Sequence, residues 1–351
     1  MSSLPRRAHQ ATSALGRRWG PGGAWIRVAT LVRCGSAGSL RRLSALRHRR
    51  PELRTLTLIL TLLRPGEGIW RTVDARITRG GQLEDDFAVK SLSLHCWDGT
   101  VVVSHTGLAE YPPTNDSMFD WVRSTLRGES RGLEASLLHL QTRLNRDISS
   151  SRNREIRRAP LVLAMAGVVG TRPDLNSPLQ NRRMGAWAIT NLSWPSGLNG
   201  QPIVEPQFHL EGGIISQAAV AVMGSGRGAV LGSQSDMELL RRATTHRPRR
   251  PEDYLGLLAA INRRAAPRSG NTVSPWCEST FIPESGQNLQ SKAFNEHGDP
   301  EPPVLHGMPT ILFGVDLTGP MAQTINAGRA RRRGLPEPPE ADPNEMVVGR
   351  P

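Results

Sequence analysis

Of the 44 basic residues in this chain of 351, only Lys90 and Lys292 are lysines. So strong a bias towards arginine reads as GC-rich coding, and a lysine that persists against it stands out. An ammonium can lower the pKa of a neighbouring amine. That bears on threonine, whose hydroxyl is a poor nucleophile at neutral pH and needs a base beside it; a threonine at the start of a chain can use its own α-amine, with a pKa of about 7.7–8.0. Two threonines, Thr55 and Thr57, open the first strand-like run. Other candidates for chemistry carry weaker signals. His95, Cys96 and His105 flank an Asp98-Gly99 turn and suggest a metal site, but no third and fourth ligands are evident. Gly224-Ser225-Gly226 follows a strand as a nucleotide loop would, yet lacks the third glycine and the acidic partner. No cofactor and no metal are expected.

The net charge of +13 invites a nucleic-acid reading. Eleven arginines, however, lie within residues 1–50, a stretch without any acid, and setting them aside leaves 33 basic against 31 acidic residues, or +2, in the other 301. The body is almost neutral, so a basic nucleic-acid-binding protein is the weaker alternative. The cluster Arg241, Arg242, Arg247, Arg249 and Arg250 reads as a solvated loop. No apolar run reaches the roughly 18–20 residues that span a bilayer. Cys34, Cys96 and Cys277 form neither a CxxC pair nor a disulfide framework, which fits a reducing, cytoplasmic compartment.

The elements that would carry these residues follow a clear order. The run Thr55 to Leu63, the Arg64-Pro-Gly-Glu-Gly68 turn and Ile69 to Asp74 read as a β-hairpin. Ser91 to His95 and Val101 to Thr106 form a second pair around Asp98-Gly99. Phe119, Val122 and Leu126 mark one helix. A second carries Leu133, Leu137, Leu140, Leu144 and Ile148 on one stripe. Strands are expected at about 161–168, 185–192, 207–210 and 214–223, and a helix opens at Pro251-Glu-Asp253. The expected division is a leader over 1–54, a domain over 55–280 and a Pro/Gly-rich, largely disordered extension over 281–351. Strands in a run, then helices, strands and a helix again, suggest an α+β layered domain.

The segment from Thr55 to Lys90, with Gly68, the string Val73-Asp-Ala-Arg-Ile-Thr-Arg-Gly80 and Ala88-Val-Lys90, resembles the opening of proteasome β-type subunits and related bacterial threonine peptidases, which are N-terminal nucleophile hydrolases. Asp74 precedes Lys90 by the family's own gap. Thr106-Gly107, Gly224-Ser225-Gly226 and Ser269-Gly270 continue the resemblance in order, so that it covers about 55–275. It implies a four-layer αββα sandwich of two antiparallel sheets and a hydrolase of peptide or amide bonds that assembles into a homo-oligomer. The site residues it implies are Thr57 as nucleophile, Lys90 tuning its amine, Asp74 and Arg76 in support, Gly107 in the oxyanion hole and Ser225 beside the amine. Ala266 stands where the family has an aspartate. The chain also lacks the glycine that precedes the nucleophile in processed family members. If the Leu56 codon is the true start, removal of its methionine exposes Thr57, and residues 1–54 are then upstream sequence, in preference to a transit peptide or a nucleic-acid arm. Thr57 fits the turn before Gly68 better than Thr55. The competing reading is a proteasome-like scaffold that has lost its active site.

Overall fold

The computed structural model describes residues 57–79, 82–86, 88–111, 116–149, 151, 157–174, 177–193, 203–246, 250–270, 272–301, 310–317 and 330. The leader, Thr55 and Leu56, Arg247 and Arg249 lie outside them, as does most of the sequence beyond residue 317.

The chain opens with β1 (Ile59–Arg64) and β2 (Gly68–Asp74). Their turn places Pro65 and Gly66 at the centre, with Gly66 at φ +86° and the Glu67 N–H donating to the Arg64 carbonyl. This is the type II geometry that a Pro-Gly pair favours. A short ribbon, β3 (Ile77–Arg79) and β4 (Gln82–Asp85), leads to β5 (Ser91–Cys96) and β6 (Gly99–Gly107). A second ribbon, β7 (Glu110–Tyr111) and β8 (Asp116–Ser117), precedes helices α1 (Met118–Leu126) and α2 (Leu133–Leu144), the latter ending in a π-turn over Asn145–Ser149. The chain then forms β9 (Leu161–Thr171), β10 (Gln180–Ser193), β11 (Ile203–Ile214) and β12 (Ala219–Met223). Helices α3 (Arg227–Leu231), α4 (Gln234–Thr245) and α5 (Pro251–Arg268) follow. Four strands close the described chain: β13 (Cys277–Pro283), β14 (Gln290–Phe294), β15 (Thr310–Leu312) and β16 (Val315–Asp316).

The main strands form a sheet ordered β12-β1-β2-β13-β14 and another ordered β11-β10-β9-β6-β5-β15-β16. Successive side chains of a strand point to opposite faces, and here both faces are covered. Ile59 and Leu63 of β1 face the other sheet, while Leu58, Leu60 and Leu62 face the helices α4 and α5. On β9, Val162, Ala164 and Ala166 point between the sheets, and Leu161, Leu163 and Met165 point to α1 and α2. The result is helices, sheet, sheet, helices. Double coverage explains why these strands read as unbroken apolar runs rather than clean alternations.

The structure departs from the sequence reading in several places. The single strand expected over 214–223 is two: β11 ends at Ile214 on the edge of the seven-stranded sheet, and β12 begins at Ala219 on the edge of the five-stranded one. An apolar run cannot reveal where it changes sheets. Arg241 and Arg242 lie on α4 and not in a loop, each paired with Glu238 one turn away. Ser233 caps that helix by accepting the Asp236 N–H, and its sparse apolar stripe hides it. The boundary expected near residue 280 falls inside β13, and β14, β15 and β16 join the sheets beyond it. Finally, β15 pairs with β5 in parallel, the exception in two otherwise antiparallel sheets. A strand that returns by a crossover from the other sheet is not bound to hairpin direction.

Candidate active site

β1, β2 and the segment leading into β5 bring Thr57, Asp74 and Lys90 together. Thr57 stands just before β1, Asp74 ends β2 and Lys90 precedes β5. The Lys90 Nζ donates to Thr57 Oγ1 at 3.0 Å and lies 3.4 Å from Asp74 Oδ1. A third partner is the Arg76 carbonyl. All three side chains are buried, at 2% exposure for Thr57, 1% for Asp74 and 4% for Lys90. Asp74 is held by backbone: its Oδ1 accepts the Leu58 N–H at 2.7 Å, and its Oδ2 accepts those of Arg76 at 3.0 Å and Ser274 at 3.2 Å.

Burial lowers the Lys90 pKa from its ordinary value, and the Asp74 charge and hydrogen bond act against that fall. Burial in turn raises Asp74, opposed by the Lys90 charge and the three N–H donors. The two directions describe one desolvated pair whose charges stabilise each other. His105 lies nearby, and burial, followed by the Lys90 charge, pushes it down to about 3. It stays neutral.

Across from Lys90, the loop after β12 closes on Thr57. The Thr57 N–H donates to Ser225 Oγ at 2.9 Å, and the Gly226 N–H donates to the Thr57 carbonyl at 3.3 Å. Gly224 has φ +87°, and a Cβ there would lie 2.0 Å from the Thr57 carbonyl oxygen. The glycine is thus required both by conformation and by close approach. The same Cβ would meet Thr106 Oγ1 at 3.3 Å, which brings the end of β6, with Gly107, to this loop. Gly107 has φ +107°, and its Cβ would strike the Pro160 carbonyl.

Arg76 takes a supporting place. Its Nε and Nη2 each donate to Asp86 at 2.7 Å, while its backbone touches Asp74 and Lys90. Asp86 and Ser274 were missed by sequence reasoning. Asp86 closes an acidic triplet, Glu84-Asp85-Asp86, that looks like solvated ribbon, and Ser274 follows α5 in a segment without a motif. Ser269 does not reach this cluster through the bonds it makes: its Oγ donates to the Ala266 carbonyl and accepts the N–H groups of Thr272 and Val273, closing the end of α5. Ala266 is buried among the helix-side core.

The suggested metal arrangement does not form. In the register His95 lies opposite Thr100 and His105 opposite Leu163, so the two imidazoles do not face each other. Among the described residues no group of three or more His, Cys, Asp or Glu is placed to hold a metal ion. No helix among them is long and apolar enough to cross a membrane.

No family model matches the chain, and no curated protein matches it in sequence. Among solved structures it is similar to Anbu (ancestral beta-subunit) from Yersinia bercovieri, at 13% identity and a TM-score of 0.42, over 67% of this chain and 86% of that one. The motif-based expectation of membership in the proteasome β-type family, as an uncharacterised bacterial branch, is corrected accordingly. Short motifs in the right order are carried by a sequence that no family model matches, and what stands on the structure's own sheets and helices is an α+β fold of two packed sheets between helical layers.

Proposed function

We propose that the chain is a threonine-type hydrolase of peptide or amide bonds, with Thr57 as the nucleophile once it is the first residue. The observation that carries this reading is the buried Lys90 ammonium 3.0 Å from Thr57 Oγ1, with Asp74 as its counter-ion. While Leu56 is attached, the Thr57 nitrogen is an amide and has no basic lone pair. As a free amine at the same place it would sit beside Ser225 Oγ and near Lys90, whose charge keeps it unprotonated. It then takes the proton from Oγ1, directly or through a water, as Oγ1 attacks the carbonyl carbon. The Gly107 N–H at the end of β6 is the proposed donor to the oxyanion. The α-ammonium returns its proton to the leaving nitrogen, the acyl ester forms on Oγ1, and water hydrolyses it with the amine again as base.

The same reading includes self-association, which sedimentation of the full chain would detect as a mass above one copy.

The test is covalent labelling of a chain that begins at Thr57 after methionine removal, using a threonine-directed electrophile. Labelling at Thr57 is expected, abolished in Thr57→Ala and slowed about 100-fold or more in Lys90→Ala, the scale of one preorganised electrostatic contact. A folded chain that is not labelled sinks the reading. It would favour the second one, a non-catalytic scaffold.

A further inference from the structure

Lys90 reaches Thr57 from a place where three acceptors converge, and one of them is a backbone carbonyl on a short segment. That carbonyl belongs to Arg76, which starts the ribbon of β3 and β4. Asp86 stands at the other foot of the same ribbon and grips the Arg76 guanidinium with both oxygens at 2.7 Å. Fork-to-fork pairing of this kind fixes orientation as well as distance. The contact is well shielded, with side-chain exposures of 12% for Arg76 and 21% for Asp86.

Asp86 has a second tie. The Ser274 hydroxyl also favours its charged form. Ser274 is fully buried; its own N–H donates to Asp74, and its carbonyl accepts from Asn262 of α5 at 2.8 Å. Asp86 therefore holds Arg76, and both Arg76 and Ser274 donate backbone N–H groups to Asp74, the counter-ion of Lys90. Burial works against the charged form of Asp86, yet the bonds from Arg76, the Ser274 hydroxyl and the charges of Arg76 and Lys90 hold its carboxyl below the ordinary value. The field is reciprocal, for Asp86 also favours the charged form of Lys90.

We propose that Asp86 is a positioning residue for Lys90, acting through Arg76 and Ser274. The clamp keeps the Arg76 carbonyl against the ammonium, so that Nζ has its third acceptor and points at Thr57 Oγ1. Without it the base of the ribbon loosens, Lys90 loses both that acceptor and a nearby negative charge, and its amine becomes more exposed and more often neutral. The functional meaning rests on the reading of Thr57 and Lys90 given above. The clamp itself can be tested without any activity.

Because the chain has only two lysines, amine acylation followed by peptide mass mapping gives an internal ratio, Lys90 against Lys292, in the full chain. In wild type Lys90 is spared while Lys292 is modified. Asp86→Asn is expected to raise the Lys90 to Lys292 rate ratio about tenfold or more, through a lower Lys90 pKa and a more exposed amine. Ser274→Ala should raise it less, and Asp86→Glu, which restores charge and pairing, should bring it back towards wild type. The ratio measured from pH 7 to 10 should show the Lys90 profile displaced in Asp86→Asn and Lys292 unmoved. Leu240→Ala, which lowers stability from the outer helical layer, controls for general loosening and should leave the ratio unchanged. An unchanged ratio in folded Asp86→Asn, or a ratio in Asp86→Glu no nearer to wild type, overturns the proposal. If the clamp passes while the chain beginning at Thr57 is not labelled, the hydrolase reading fails alone.

Discussion

At the scale of single residues, the candidate site is a set of close approaches that tolerate little substitution. Gly224 shows this most sharply, because its positive φ and the 2.0 Å gap between a Cβ and the Thr57 carbonyl oxygen act together. Gly224→Ala is expected to cost about 1–3 kcal/mol in strain and to displace Thr57 from Ser225. Thermal unfolding should record the first effect. Loss of Thr57 labelling in a chain with unchanged circular dichroism should record the second; labelling at the wild-type rate would show the close approach to be unimportant. Thr57, Asp74, Lys90 and Ser225 could be picked out in the sequence because each belongs to a short motif. Asp86 and Ser274 could not, since their meaning lies in an ion pair and a hydrogen bond that exist only once the ribbon has turned back on itself.

Between elements, the interface of the two sheets includes six small residues, Ala164, Ala166, Ala186, Ala188, Ala219 and Ala221. The space they leave is filled from β2 by Arg71, which is 1% exposed. Its guanidinium donates across the interface to the Ala164 carbonyl at 2.8 Å and the Val102 carbonyl at 3.4 Å, with no carboxylate among these partners. Burial lowers its pKa to about 9. A buried charge without a counter-ion is a liability that an apolar residue of similar length removes. Arg71→Met should therefore leave stability unchanged or raise it by about 1–3 kcal/mol in urea denaturation. The two carbonyls it releases already face their neighbours in the β6 and β9 ladders. A loss greater than about 1 kcal/mol would mean that the cross-sheet bonds outweigh the desolvation. The hairpins β1–β2 and β5–β6 were legible from their turn residues, and α1, α2 and α5 from their apolar stripes. The change of sheet between β11 and β12, the polar helix α4 and the parallel pairing of β15 were not, because each is decided by a partner distant in sequence.

For the whole molecule, the buried His105 links stability to pH. It remains neutral in the fold down to about 3 because burial, and then the Lys90 charge, disfavour the imidazolium. The unfolded imidazole takes up its proton near pH 6.5. Between those values the unfolded state binds more protons, so this contribution is whole above about 6.5 and is lost as the pH falls towards 3. From pH 7 to 5 His105 alone should remove about 2 kcal/mol. Asp74 and Asp98, both raised chiefly by burial, act in the opposite direction, so the comparison is with His105→Gln. That variant should lose about 2 kcal/mol less than wild type over the same interval, and equal slopes would refute the assignment. The sequence by itself determined the hairpins β1–β2 and β5–β6, the helices α1, α2 and α5 with the apolar faces they bury, and the near-neutral charge of the chain after residue 50, because these depend on local periodicity, turn residues and composition. Only the tertiary structure decided which strands share a sheet, that Lys90 stands against Thr57, and that Asp86 and Ser274 brace them. Those contacts join residues up to 217 positions apart, as Thr310 and Ser93 are, and pairings of that span leave no periodic trace in the chain.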